Sequence, residues 1–176
     1  MKIRKAELID AGGIAKVHVD SWRTTYGNIL SEWYLSQLSV EGRKNNWEWT
    51  FKNLNKDEVI YVGLNDEESI VGFACGGQSR DKDFEYDGEL YAIYLLRDYQ
   101  GKGYGKRLFK AVVDSLQKNG YESMMVWVLQ GNPAISFYTA MGGELIGQKE
   151  ITIGADKHIE LVYGWRNINV FMRRAE

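Results

Sequence analysis

The stretch "RDYQGKGYGKRLF", Arg97–Phe109, carries three glycines at alternate positions and then opens a helical pattern. Glycine lets the backbone approach a ligand closely, and the first turn of a helix offers unpaired N–H groups and a positive dipole end. Five cations and one anion lie between Arg97 and Lys110, in a chain whose net charge is −2. These features favour a phosphate-bearing ligand, although a glycine-rich turn before a solvated basic helix would have the same sequence.

Two common phosphate-binding motifs do not fit this loop. The dinucleotide fingerprint G-x-G-x-x-G fails because Lys106 stands where the third glycine would fall, and because the loop lies past the middle of the chain. The P-loop motif G-x-x-x-x-G-K-[ST] fails because Gln100 replaces its first glycine and Arg107 its hydroxyl residue. The sequence therefore predicts neither a Rossmann nor a P-loop fold.

The chain around the loop alternates strand runs with helical patterns. The apolar runs "ELYAIYLL" and "SMMVWVL" flank a helix predicted from Gly103 to Asn119, which implies a parallel β-α-β pair with a right-handed crossover. Hairpin patterns precede and follow this unit, and Asp10 is predicted to cap the first helix. The order is one strand, two or three helices, two strands, β-α-β, a helix and two strands. The class is α/β (α+β) with a mixed sheet, in a single domain over residues 1–176, because no linker divides the chain.

Composition excludes several classes of protein. Apolar residues make up 44% and charged residues 26% of the chain, which is a globular balance. The net charge of −2 argues against nonspecific nucleic-acid binding. A single cysteine, Cys75, and two distant histidines, His18 and His158, give no disulfide and no local metal motif. Without a membrane-spanning apolar run or a signal peptide, we expect a soluble, cytoplasmic protein.

The segment "QGKGYG", Gln100–Gly105, resembles the Q/R-x-x-G-x-G/A signature of the GNAT superfamily of N-acetyltransferases. Three longer segments are also similar to that family. "ELYAIYLLRDYQGKGYG" resembles its fourth strand and pyrophosphate loop, "QGNPAISFYTAMGGELIG" its later asparagine-to-tyrosine helix segment, and "VHVDSWRTTYGNIL" its first helix and substrate-side loop. The resemblance implies a mostly antiparallel, twisted sheet of about seven strands flanked by helices, with the parallel pair splayed at a coenzyme A site.

The resemblance also implies which residues bind acetyl-CoA. The strand backbone would pair with the pantetheine arm, as a ligand added to a sheet edge, and the glycine loop would hold the pyrophosphate through backbone N–H groups. An asparagine and a phenylalanine match family positions beside the coenzyme, and a tyrosine matches the position near the thioester sulfur. The predicted set is Ile93, Tyr94, Leu95, Gln100, Gly101, Lys102, Gly103, Tyr104, Gly105, Lys106, Asn132, Phe137 and Tyr138.

Acetyl transfer to an amine needs a base, because a free alkyl amine has a pKa near ~10.4 and is mostly protonated at pH 7. Glu89 is the predicted base, eleven positions before Gln100, a spacing that resembles the catalytic glutamate of histone-type members. A strand-starting glutamate that faces solvent fits the sequence equally well. Tyr138 is the predicted acid for the departing thiolate, with core packing as its alternative.

The acceptor side is predicted to include Trp22 and Tyr26, as an aromatic wall for an amine, unless these rings belong to the core. The sequence thus predicts direct acetyl transfer from acetyl-CoA to a primary amine in a ternary complex, without a metal. The acceptor is a small-molecule or peptide amine, and the carboxylates Glu89, Glu150 and Glu160 favour a cationic one. The alternative is a non-catalytic acyl-CoA-binding sensor or scaffold. The resemblance also allows a homodimer.

Overall fold

A seven-stranded mixed sheet forms the centre of the computed structural model, which describes residues 1–174. Along the chain its strands are β1 (Lys2–Lys5), β2 (Val59–Leu64), β3 (Ile70–Gln78), β4 (Gly88–Leu95), β5 (Met124–Leu129), β6 (Glu144–Ile153) and β7 (Asp156–Trp165). Their spatial order is β1-β2-β3-β4-β5-β7-β6. Every neighbouring pair is antiparallel except β4 and β5, which are parallel. The predicted fold class is confirmed.

The helices are α1 (Ala11–Thr25), α2 (Glu32–Ser36), α3 (Val40–Lys52), α4 (Tyr104–Lys118) and α5 (Ala134–Ala140), with 3-10 turns at Leu8–Asp10, Arg97–Tyr99 and Ile168–Arg174. Serine caps begin α2 and α3. The Ser31 hydroxyl accepts from the N–H of Tyr34 at 3.3 Å, and the Ser39 hydroxyl from the N–H of Gly42 at 3.2 Å. Each hydroxyl satisfies one of the N–H groups that a helix start leaves without a partner.

Two apolar layers cover opposite faces of the sheet, because successive strand residues point to opposite sides. On one face, Leu108, Phe109 and Val112 of α4 pack on the sheet in a cluster that includes Ala74 of β3. On the other face, Ile14 and Val17 of α1 and Trp47 of α3 pack against Phe73, the neighbour of Ala74. Full burial of each such side chain contributes about 1.5–3 kcal/mol, so these layers hold the helices to the sheet.

Asp10 occupies the N-cap position of α1, as predicted, but its carboxylate makes no capping hydrogen bond to that helix. Its carboxylate accepts hydrogen bonds from the Arg4 guanidinium at 2.7 and 2.9 Å and from the N–H of Glu7 at 2.8 Å. The hydrogen bond from Arg4 is the main reason that the pKa of Asp10 is lowered. A partner in β1, which the local sequence of α1 does not reveal, thus takes the carboxylate away from the helix end.

A β-bulge in β4 lies where the sheet opens. Cys75 of β3 pairs with Ala92, but the next residue, Gly76, pairs with Leu90, so Tyr91 is an extra residue in β4. A bulge bends its strand and increases the local twist. It also shifts the alternation of side chains, so that Glu89 and Tyr94 lie on the same side of the sheet.

The parallel pair diverges immediately beyond its first residues. β4 and β5 pair at Gly88–Met124 and Glu89–Met125, and after this point the two strands separate. The separated part of β4, from the bulge to Leu95, and the facing part of β5 border a gap in the sheet. The fold therefore places backbone of two strands, the loop after β4 and the start of α4 around one opening.

Candidate active site

Two cavities on opposite faces of the sheet meet at the gap between β4 and β5. The first, here called the α5 cleft, has a volume of about 560 Å³ and lies among β4, β5, the start of α4 and α5. The second, the β6 cavity, has about 660 Å³ and lies among α1, the loop 80–83, β6 and β7. Both are lined by Tyr26, Tyr91, Tyr94, Trp127 and Val128. Ligands bound in the two cavities would therefore meet at the gap that these shared residues border.

The glycine loop forms the outer end of the α5 cleft. Gly101 and Gly103 have φ angles of 70° and 78°, in the left-handed region that glycine tolerates best. Gly103 is the residue that precedes α4, so the first N–H groups of the helix are not covered by a capping side chain. The Gln100 amide donates to the carbonyl of Leu95 at 2.8 Å and ties the loop to the end of β4. The loop therefore presents uncovered helix N–H groups to the cleft.

Eleven of the thirteen residues that the sequence assigned to coenzyme binding line the α5 cleft. The other two, Lys102 and Tyr104, lie in the same loop but do not line it. The Lys102 ammonium is 5.8 Å from the ring centroid of Tyr99, and the Tyr104 ring packs on the same tyrosine at 6.4 Å.

Sequence reasoning missed a further part of the cleft lining. Seven of these residues lie inside the segments quoted for the family resemblance and three lie in β5, but no local pattern marks any of them individually as facing the cleft. They are Thr25, Tyr91, Ala92, Val126, Trp127, Val128, Pro133, Ala134, Ala140 and Met141.

A polar network crosses the junction of the two cavities. Asn132 accepts from the N–H of Ala134 at 2.8 Å and donates through its amide to the Tyr26 hydroxyl at 3.1 Å. The Tyr26 hydroxyl lies 3.2 Å from that of Tyr94. Tyr138 is also buried here, and its pKa is raised by burial and then by Tyr26. Asn132 and the three tyrosines all line the α5 cleft, so neutral hydroxyl groups surround the point where the cavities meet.

The β6 cavity contains the predicted base, Glu89. Its carboxylate is buried and accepts from the N–H of Arg80 at 2.9 Å and from the Arg80 side chain, through Nε at 3.3 Å and through one terminal nitrogen. The solvent-facing alternative for Glu89 is therefore wrong. Arg80 could not be singled out from the sequence, because the loop that carries it packs on Glu89 only in the folded chain.

A second set of charges lines the β6 cavity on the side of β6 and β7. The Lys149 ammonium lies 3.7 Å from the ring centroid of Trp127, 3.6 Å from an oxygen of Asp81 and 3.8 Å from an oxygen of Glu160. The pKa of Glu160 is raised, mainly by burial. Glu150, the third acidic residue noted in the sequence, instead pairs with Lys157 at 2.7 Å and is not among the lining residues.

The predicted acceptor-side aromatics both line the β6 cavity, and Tyr26 also lines the α5 cleft. The indole nitrogen of Trp22 is buried and has no hydrogen-bond partner among residues 1–174. Neighbouring His18 accepts a hydrogen bond from the Trp47 indole at 3.2 Å, and burial lowers the pKa of His18 to about 3. His18 is therefore a neutral packing residue.

Clusters of metal-ligating side chains and membrane-spanning helices are both absent from residues 1–174. No three histidine, cysteine, aspartate or glutamate side chains are grouped there so that they could hold a metal ion. No helix in this part of the chain has the length and apolarity needed to cross a membrane.

A sheet opened between parallel strands, with a helix N-terminus at one end of the opening and a carboxylate-lined cavity behind it, is the arrangement expected from the resemblance to the GNAT superfamily. Comparison with known proteins agrees. Residues 23–143 match the model described as "Acetyltransferase (GNAT) family". The chain belongs to the GNAT family of acetyltransferases, as the resemblance predicted, and is an acyltransferase.

Relatives and solved structures cover nearly the whole chain. "Uncharacterized N-acetyltransferase YuaI" of Bacillus subtilis (strain 168) is 38% identical over 95% of this chain and 94% of its own length. "Spermidine N(1)-acetyltransferase" of Thermoplasma acidophilum is 27% identical over 93% and 98%. The crystal structure of PaiA N-acetyltransferase from the same organism, in complex with coenzyme A, has a TM-score of 0.67 and 26% identity, covering 90% and 96% of the two chains.

Proposed function

We propose that this protein transfers an acetyl group from acetyl-CoA to a primary amine by direct attack within a ternary complex. The observation that carries the proposal is the meeting of the α5 cleft and the β6 cavity at the gap between β4 and β5. A donor in one and an acceptor in the other would bring thioester and amine together at this gap, which residues shared by both cavities border. Holding two reactants in this way removes most of the entropic cost of a bimolecular reaction.

The α5 cleft would bind acetyl-CoA through the backbone of β4 and the N–H groups of the glycine loop. The pantetheine arm would run along β4, where the backbone of Ile93, Tyr94 and Leu95 faces the gap. The pyrophosphate would lie at Gln100–Lys106, beside the first N–H groups of α4 and the cation of Lys106. The relative crystallised with coenzyme A supports this assignment.

Tyr138 is the proposed acid for the departing thiolate. The side chain is buried and lines the α5 cleft, and burial raises its pKa, so the hydroxyl stays protonated and able to donate. Asn132, through its bond to Tyr26, would hold the neighbouring hydroxyl in a fixed position. The position of Tyr138 beside the cleft favours this role over packing alone.

Glu89 remains the proposed base, with one condition that the structure adds. Arg80 donates two hydrogen bonds to Oε2 and one to Oε1, so a proton from the amine would reach Glu89 at the remaining lone pair of Oε1. Glu160 is a second carboxylate in the same cavity, and burial raises its pKa, a property that suits a base near neutral pH. If Glu89 is the base, Glu89→Gln should lose activity; if Glu160 is the base, Glu160→Gln should lose it instead.

The experiment measures acetyl-CoA-dependent release of free thiol across a panel of primary amines, with spermidine included because a 27% identical relative carries that name. Glu89→Gln, Glu160→Gln and Tyr138→Phe are compared with the wild type, and Glu150→Gln is the matched control outside the cavity. We expect at least a tenfold loss of kcat in Tyr138→Phe and in one of the two cavity carboxylate variants. Unchanged turnover in all three variants would contradict the proposed chemistry.

The alternative function is a non-catalytic acyl-CoA sensor or scaffold. It predicts tight acetyl-CoA binding without thiol release for any amine, and no effect of Glu89→Gln beyond stability. The buried carboxylates of a cavity that opens onto the α5 cleft favour the enzyme. The single domain over residues 1–176, the homodimer and the cytoplasmic location stay predictions from the sequence.

A further inference from the structure

The β6 cavity already holds one alkyl ammonium group, and it belongs to the protein. Lys149 places its ammonium 3.7 Å from the ring centroid of Trp127 and 3.6 and 3.8 Å from the carboxylates of Asp81 and Glu160. An aromatic face with two carboxylates is the environment that recognises an organic cation. We call the Trp127 ring with the Asp81 and Glu160 carboxylates the ammonium site.

Lys149 is held weakly in this ammonium site. Both ion-pair distances exceed hydrogen-bond length, so charge and the Trp127 ring hold the ammonium without a direct hydrogen bond to either carboxylate. The Lys149 side chain is 44% exposed, whereas Asp81 and Glu160 are 18% and 22% exposed. The Lys149 side chain can therefore rotate into solvent, whereas the two less exposed carboxylates stay in the cavity.

The cation of Arg80 does not compete for this ammonium site, because it is paired with Glu89. Departure of Lys149 would leave these two largely buried carboxylates without their ion pair, with only the more distant charge of Arg80 acting on Glu160, and this favours entry of another cation. Next to the ammonium site, Ile151, Ile153 and Trp22 line the same cavity with apolar surface. That surface suits a chain of methylene groups between the ammonium site and the gap.

We propose that the acceptor is an aliphatic amine with a second ammonium group, and that this second group displaces Lys149 from the ammonium site. The proposal rests on the proposed acetyl transfer and names its substrate class. The reactive amine, at the other end of the chain, would reach the gap beside Tyr26 and Tyr94, which line both cavities. In the competing arrangement Lys149 would itself bind a carboxylate of the acceptor, as for an amino acid.

The two arrangements predict opposite effects of Lys149→Ala. If Lys149 competes with the substrate, its removal lowers KM for a diamine; if Lys149 binds a substrate carboxylate, its removal raises KM. The test compares three classes of acceptor: α,ω-diamines with three to six methylene groups, and the monoamines and ω-amino acids of the same chain lengths. Calorimetric titration of the same compounds, with and without bound coenzyme A, gives their affinity independently of turnover.

For Lys149→Ala we expect about a fivefold to tenfold gain in diamine affinity, the effect of losing a competing cation held by an ion pair and an aromatic ring. Asp81→Asn, which changes a carboxylate of the ammonium site that has no proposed catalytic role, should weaken diamine binding by a similar factor and change monoamine binding little. Lys157→Ala is the matched control, because Lys157 lies on β7 and pairs with Glu150 outside the cavity. It should change none of these values.

Three results would overturn the proposal. The first is weaker diamine binding in Lys149→Ala than in the wild type, and the second is tighter binding of the ω-amino acid than of the diamine. The third is equal affinity for diamine and monoamine, including the case in which neither binds. Thiol release from acetyl-CoA with other amines, alongside any of these, would leave the acetyl transfer intact. Diamine binding that follows the proposal in a protein that never consumes acetyl-CoA would instead contradict the proposed function.

Discussion

Replacement of Gly103 by alanine is the sharpest test of the glycine loop, because its effect on folding stability and its effect on coenzyme binding can be measured separately. Gly103 has a φ of 78°, and a Cβ there would meet no atom within 4 Å, so the folded protein has room for a methyl group. The cost to folding is then the backbone strain of a left-handed alanine, about 1–2 kcal/mol. For a chain of this size each kcal/mol lowers Tm by about 2–4 °C.

The effect on coenzyme binding should be a separate loss. Gly103 lines the α5 cleft and precedes the first N–H groups of α4, so a side chain at this position disturbs the donors proposed for the pyrophosphate. One hydrogen bond to a charged group contributes about 1.5–3 kcal/mol. We expect Kd for acetyl-CoA to rise by about tenfold to a hundredfold. Calorimetric titration of acetyl-CoA and thermal unfolding of the same sample measure the two effects.

Gly120→Ala is the matched control. Gly120 follows the other end of α4, has a φ of 87°, and its Cβ would also meet nothing within 4 Å. It should lose a similar amount of stability but bind acetyl-CoA as the wild type does. Equal affinity for acetyl-CoA in both variants would refute the assignment of the loop to the pyrophosphate.

Three further predictions concern single buried groups. Tyr26→Phe leaves the buried Asn132 amide without its acceptor and should lower the free energy of unfolding in urea by about 1–3 kcal/mol; no change would contradict the network. The pKa of His18 is lowered from 6.5 to about 3, so between these values the unfolded state binds the proton. Stability should therefore fall as pH falls, by up to about 1.4 kcal/mol per unit, and His18→Gln should lose this slope in urea titrations. Burial raises the pKa of Cys75 to about 12, so a thiol reagent at pH 8 should modify it after unfolding, and rapid native reaction would contradict its burial.

The sequence predicts the sheet well because local patterns determine its strands. "VIYVGL" is β2 in full, and the helix expected from Gly103 to Asn119 is α4, Tyr104–Lys118. The loop could be recognised from the sequence because the left-handed φ values at positions 101 and 103 favour glycine at these two positions. Features that depend on a few adjacent residues can therefore be predicted from the sequence alone.

Features that depend on distant residues were not predictable. The Asp10 carboxylate binds Arg4 instead of capping α1, and the Glu89 carboxylate binds Arg80. No local sequence pattern marks either arginine as the partner. Lys149 reaches Trp127 and Asp81 from a different strand. The β-bulge at Tyr91, which accompanies the opening of the sheet, has no signature in "ELYAIYLL". In each case the deciding contact joins segments that only the fold brings together.

The most direct test of the central claim is a crystal structure of this protein with acetyl-CoA. We predict that the pantetheine arm lies in the gap between β4 and β5, beside Ile93–Leu95, with the pyrophosphate at Gln100–Lys106 and the thioester facing the β6 cavity near Tyr138. Acetyl-CoA bound elsewhere on the protein, or bound in the gap with its thioester turned away from the β6 cavity, would contradict the proposed acetyl transfer.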